Sequence, residues 1–109
     1  MTDNVISIKE NISSNLSIRK NAINFFETKI ESSHLNDIKI DFLEVKSISH
    51  SFAHQYISSK RKSHKNIVEI NIPDKIYKIL EIAKNSIDEE KKVQDLDNFE
   101  EIQIEEIKL

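Results

Sequence analysis

A chain of 109 residues is sufficient for one domain of ordinary size. Only 38% of it is hydrophobic, 32% is charged and the net charge is −3, so its core must be small and built mainly from isoleucine and phenylalanine. It has no cysteine and no glycine, which excludes disulfides, thiolate metal sites and glycine-rich phosphate loops.

Val5–Ile12, "VISIKENI", is short and roughly alternating, which predicts a first strand or hairpin. In the next stretch Ile18, Ala22, Phe25/Phe26 and Ile30 recur at three- to four-residue steps, the spacing of an amphipathic helix. "DIKIDFLEV" follows, with Ile38, Ile40 and Phe42 on one face and Leu43 and Val45 on the other. A strand apolar on both faces is expected to be central, with helices on both sides. Phe52, Ala53, Tyr56 and Ile57 then predict a second helix, starting near Ser49 or Ser51 and ending in the basic turn "SSKRKSHK".

"NIVEINI", Asn66–Ile72, reads as a third strand. Pro73 and Asp74 open a third helix with a stripe of Ile76, Ile79, Leu80, Ala83 and Ile87. The expected fold is therefore α/β, ordered β-α-β-α-β-α, with a largely parallel sheet and right-handed crossovers. Its expected core is Ile18, Ala22, Phe26, Ile38, Ile40, Phe42, Val45, Phe52, Tyr56, Val68, Ile70, Ile76, Leu80 and Ala83.

The domain is expected to close by residue 87, leaving 88–109 as an acidic extension. Residues 1–85 hold 13 Lys/Arg and 10 Asp/Glu, whereas residues 86–109 hold 3 and 9. Val93, Leu96 and Phe99 suit a helix, while Ile102 and Ile104 alternate like a strand. Three readings stay open: a frayed extension, an added edge strand, or a helix packed on this chain or a partner, a second copy included. No apolar run is long enough for a membrane span and no signal-peptide pattern opens the sequence, so the expected location is cytoplasmic.

The junction "SISHSFAHQY", Ser47–Tyr56, is where an apolar strand gives way to serines and histidines. In α/β domains ligands and partners gather beyond the carboxyl ends of parallel strands, where helix N-termini point outward. Ser49, His50, Ser51 and His54 are the candidate partner-binding residues there. A serine at this position also has a plain structural use, capping the helix start.

"IDFLEVKSISHSFAHQYI", with "NIVEINIPDKIYKILEIAK", resembles the STAS-like family of small bacterial and archaeal proteins, and more distantly the STAS domain of anti-sigma factor antagonists. The resemblance covers about residues 17–85. It implies a STAS-like sandwich and a regulatory module without enzymatic activity or cofactor. In the antagonists the strand enters an Asp-Ser-Ser-Gly-Leu-Gly turn whose second serine is phosphorylated by a GHKL-type ATPase or kinase. Aligning the turns through Asp41 and Val45 puts Ser49 at the aspartate and His50 and Ser51 at the two serines. Phe52 and His54 stand at the glycines. STAS-like proteins commonly read Ser-Phe-Ala-Asp-Glu here, where this chain has His54-Gln55 after Ala53. The resemblance implies Ser51 as a phospho-switch and a GHKL-type ATPase or kinase as partner.

Two other groupings compete. His50 and His54, four apart, share a helical face, but the glutamate of the zinc-protease motif is replaced by Ser51 and no third ligand is placed by sequence. No metal site is expected. Lys60, Arg61, Lys62 and Lys65 could contact phosphates and make a nucleic-acid regulator the alternative reading. Aromatics are not interleaved with them, and cations at a helix C-terminus have a simpler role opposite its dipole.

Overall fold

The computed structural model describes residues 5–89. Strand β1, Val5–Ser7, leads into a one-turn helix α1, Ile8–Asn11, and a two-residue strand β2, Asn15–Leu16. Helix α2, Arg19–Phe25, continues as a π-helical turn over Phe26–Ile30. Strands β3, Asp37–Asp41, and β4, Ser47–Ile48, precede helix α3, His50–Lys62. Strand β5, Asn66–Ile70, is followed by helix α4 over residues 74–89.

The main sheet has the order β1-β3-β5, parallel throughout, and β2 and β4 form a separate parallel pair. The α/β class and parallel sheet follow the expected alternation. The first segment is shorter than expected because Ser7 caps α1: Glu10 N–H donates to its hydroxyl at 3.1 Å. Ile8 thereby turns into the core and is fully buried.

Helix α2 carries consecutive buried rings, Phe25 and Phe26. The wider π turn, closed by Glu31 N–H donating to the Phe26 carbonyl at 2.8 Å, brings Ile30 into the same core. Phe26 and Phe42 both meet the Tyr56 ring edge-on, at 5.3 and 5.6 Å between centroids. Such pairs add about 0.5–1.5 kcal/mol each beyond burial.

The central strand departs from expectation. It stops at Asp41, and a turn closed by Val45 N–H on the Phe42 carbonyl, with Glu44 left-handed at φ 65°, reverses the chain. Val45 therefore joins the same core as Phe42, while Leu43 is 56% exposed. Among the described residues the sheet is covered on one face only. Ile38 and Ile40 of β3 are buried, whereas Lys39, in register with Val5 and Val68, lies in an exposed row. Val68, 55% exposed, thus leaves the predicted core, as does Ile18 at 58%, and Ile70 is only half-buried. Ile8, Leu16, Phe25, Ile30, Ile48, Ala53 and Ile57 take places in it.

Candidate functional site at the start of helix α3

The start of α3 is held by one serine. Ser49 is extended at φ −82°, ψ 160°, and its hydroxyl accepts the Phe52 N–H at 3.0 Å. The Ser49 carbonyl takes the Ala53 N–H, also at 3.0 Å. Of the two serines considered from sequence, the cap is Ser49 and not Ser51. Ser51 lies in the first turn of α3 with its side chain exposed. His50 is exposed, whereas Ser49 and His54 are half-buried. Phe52, Ala53, Tyr56 and Ile57 point into the core, so the accessible part of Ser47–Tyr56 narrows to His50, Ser51 and the edges of Ser49 and His54.

The strand pair β2–β4 brings a second segment to this spot. Ser49 N–H donates to the Leu16 carbonyl at 2.8 Å, and the Ser49 hydroxyl donates to the Ser17 carbonyl at 3.1 Å. Ser47 Oγ donates to Asn15 Oδ1 at 2.8 Å, fixing the pair sideways. The start of α2 therefore lies beside the start of α3. Arg19 Nε reaches across to Gln55 Oε1 at 2.9 Å. Neither helix has an acidic residue in its first turn, so no carboxylate of either first turn offsets the positive ends of the two dipoles.

Ile18, Arg19 and Gln55 thus belong to the surface around Ser51, although sequence reading placed Ile18 in the core and left Arg19 and Gln55 out. The signal that could have found them is weak. Asn15-Leu16 and Ser47-Ile48 are too short to read as strands without knowing that they pair.

Asp41 works at the sheet end. Its Oδ1 accepts Leu43 N–H at 2.9 Å and the Asn71 side-chain amide at 3.0 Å, tying the turn after β3 to the turn after β5. Asn71 is itself left-handed, φ 54°, a conformation asparagine tolerates better than most residues. At the rim of the same end, Lys9 pairs with Glu44, which raises the lysine pKa and lowers that of the carboxylate through their hydrogen bond.

The basic residues occupy the other end of α3. Lys60, Arg61 and Lys62 form its last turn, with the dipole's negative end, so that the expected loop is half helix. Lys60 is bound to Glu69 at 2.9 Å and Arg61 to Asp88 at 2.7 Å. Lys65 Nζ donates to the Ser33 carbonyl at 2.8 Å, while Lys62 is exposed. Three of the four candidate nucleic-acid contacts are thus engaged within the chain. Among the described residues, no three His, Asp or Glu side chains come together as a metal site. Also among the described residues, no helix is long and apolar enough to cross a membrane.

Comparison with family models, curated proteins and solved structures found no match for this chain.

Proposed function

We propose that the chain is a non-enzymatic regulatory module of STAS-like type that binds a protein partner through the start of α3. The partner proposed is a GHKL-type ATPase or kinase, and the switch is phosphorylation of Ser51. One observation carries this reading: Ser49 alone caps the helix, so the Ser51 hydroxyl is exposed in the first turn with no structural duty. A structural serine would be expected to do what Ser49 does.

The surroundings support the same reading. Arg19 and Lys20 open the neighbouring helix, and the first turn of α3 has no acid to repel a phosphate. A phosphate on Ser51 would add about 1.5–2 negative charges to this surface. Exposed Ile18 supplies an apolar contact beside it. A partner seated on Ile18, His50 and Ser51 in the unmodified state would be displaced by that charge. The engaged state of Lys60, Arg61 and Lys65 leaves the nucleic-acid reading without a comparable free surface.

The test is binding to the ATPase encoded nearest to this chain's gene, with the parent, Ser51→Ala and Ser51→Asp compared. The parent and Ser51→Ala should bind alike, and Ser51→Asp at least about tenfold more weakly, the 1.4 kcal/mol cost of an unpaired charge in a contact. Equal affinity of all three would remove Ser51 as a switch. Mass spectrometry of the protein from its native cells should find the phosphate on Ser51.

A further inference from the structure

Among the described residues the main sheet stops at β5, whose one neighbour is β3. Asn66 N–H donates to the Asn36 carbonyl, and the Ile70 carbonyl accepts the Phe42 N–H. The backbone groups of Asn66, Val68 and Ile70 thus turn toward β3, and by alternation those of Ile67 and Glu69 point out of the sheet edge. Such a row of donors and acceptors is a template for another strand.

Helix α4 lies along that edge. Helix α3 faces α2 with Gln55, Ser59 and Lys62, and faces α4 with Ile57, Lys60 and Arg61, on its opposite side. On α4, Tyr77, Glu81 and Lys84 turn toward α3, as does Asp88, bonded to Arg61 at 2.7 Å. Ile76, Leu80 and Ala83 are buried in the core. At about 100° per residue, Ile79 and Ile82 fall on the remaining flank, away from α3 and above the position next to β5. Ile79 is half-buried and Ile82 is 54% exposed. Two isoleucines therefore lean over a place that no described strand fills.

Topology carries the chain to the same place. Helices α2, α3 and α4 all bury side chains in one core, on one face of the sheet. Right-handed crossovers through helices on one face step in a constant direction, here from β1 to β3 to β5. A third step passes beyond β5. Asp88 also fixes the end of α4 beside Arg61, in the last turn of α3, from which the chain enters β5 at Asn66. Residues 90–109 follow, beyond the described residues. Their sequence holds "EIQIE", Glu101–Glu105, which repeats the acid-Ile-polar-Ile-acid alternation of β3, "DIKID". In β3 that pattern buries Ile38 and Ile40 and leaves Lys39 on the wet face. Residues 90–100 can span up to roughly 37 Å, against the ~5 Å between adjacent strands.

We propose that residues 101–105 pair with β5 as a fourth, parallel strand of the main sheet. Ile102 and Ile104 pack beneath Ile79 and Ile82, and Glu101, Gln103 and Glu105 lie on the wet face. The occupant is this chain's own segment, and it closes the edge against a foreign strand. The proposal does not rest on the surface around Ser51.

The experiment is amide hydrogen exchange of the full chain by NMR, the parent against an Ile102→Asn/Ile104→Asn double variant. The Ile67 and Glu69 amides should exchange at least about tenfold more slowly in the parent than in the variant. The Val68 amide, turned toward β3, should be equally protected in both, which shows that the variant is folded. In the parent alone, methyl NOEs should join Ile102 and Ile104 to Ile79 and Ile82, a reading that does not depend on how the variant folds. Fast exchange of Ile67 and Glu69 in the parent, protection that survives the double substitution, or absence of those NOEs would each overturn the proposal. So would protection that fades on dilution, or NOEs found only between differently labelled copies, since a second copy would then supply the strand.

Discussion

Tyr56 shows how one side chain can reverse the sense of a sequence pattern. In "NIVEI" the glutamate is the residue expected to face water and Val68 the one expected inside. The opposite is true: Glu69 is on the inner face and Val68 on the outer. Tyr56 and Lys60, thirteen and nine residues earlier, supply the donors that make the inward carboxylate tolerable, and no local rule reveals them. The same contact predicts an alkaline transition. Burial, reinforced by the Glu69 charge and hydrogen bond, raises the Tyr56 pKa well above 10. The folded state therefore keeps this proton when the unfolded chain has lost it, so the contribution is full below pH 10 and is lost as the pH rises beyond it. In a Tyr77→Phe background the tyrosinate signal belongs to Tyr56 alone, since the chain has only two tyrosines. Absorbance near 295 nm should then rise only together with loss of helical circular dichroism. A tyrosinate signal that appears while the helices remain intact would show that Tyr56 is open to solvent.

The elements were legible where periodicity ran long and illegible where a single cap or a short pair decided the geometry. Helix α3, with Phe52, Ala53, Tyr56 and Ile57 on one stripe, lies where the spacing puts it. The end of β1 was missed although Ser7-x-x-Glu10 has the spacing of a capping box, because Val5, Ile6 and Ile8 read as a continuing strand. The start of α3 offered two serines, and sequence could not rank them. Their substitution separates the roles. Ser49→Ala removes the acceptor for Phe52 N–H and the donor to the Ser17 carbonyl, and should cost about 0.5–2 kcal/mol. Ser51→Ala touches no cap and should stay within about 0.5 kcal/mol of the parent. Chemical denaturation of both variants measures this directly. If Ser51→Ala were the more damaging, the helix would start two residues later than described, and Ser51 would be a structural residue.

For the molecule as a whole, the one-sided sheet is the feature that sequence reading inverted. "DIKID" alternates polar and apolar residues, the pattern of a strand with one wet face, yet the apolar run that follows it makes the strand look longer and buried on both faces. The turn at Phe42–Val45 folds that run back onto a single core, where Phe42 is fully buried against Tyr56. All-parallel sheets usually have both faces covered, so the open row of Val5, Lys39 and Val68 is the unusual half of this fold. Two substitutions test the arrangement against each other. Phe42→Ala removes a ring from the centre of the core and should cost about 3–5 kcal/mol, a large share of the 5–15 kcal/mol that domains commonly possess. Val68→Thr keeps a β-branched residue on the outer face and should change the melting temperature by no more than about 2 °C, consistent with a surface substitution away from any special contact. A fall for Val68→Thr that deepens on dilution would mean that a second copy of the chain covers this face in solution. A fall independent of concentration would mean that the chain covers it itself. An unchanged melting temperature leaves the open face as described, with the stability of the molecule resting on the single layer between sheet and helices.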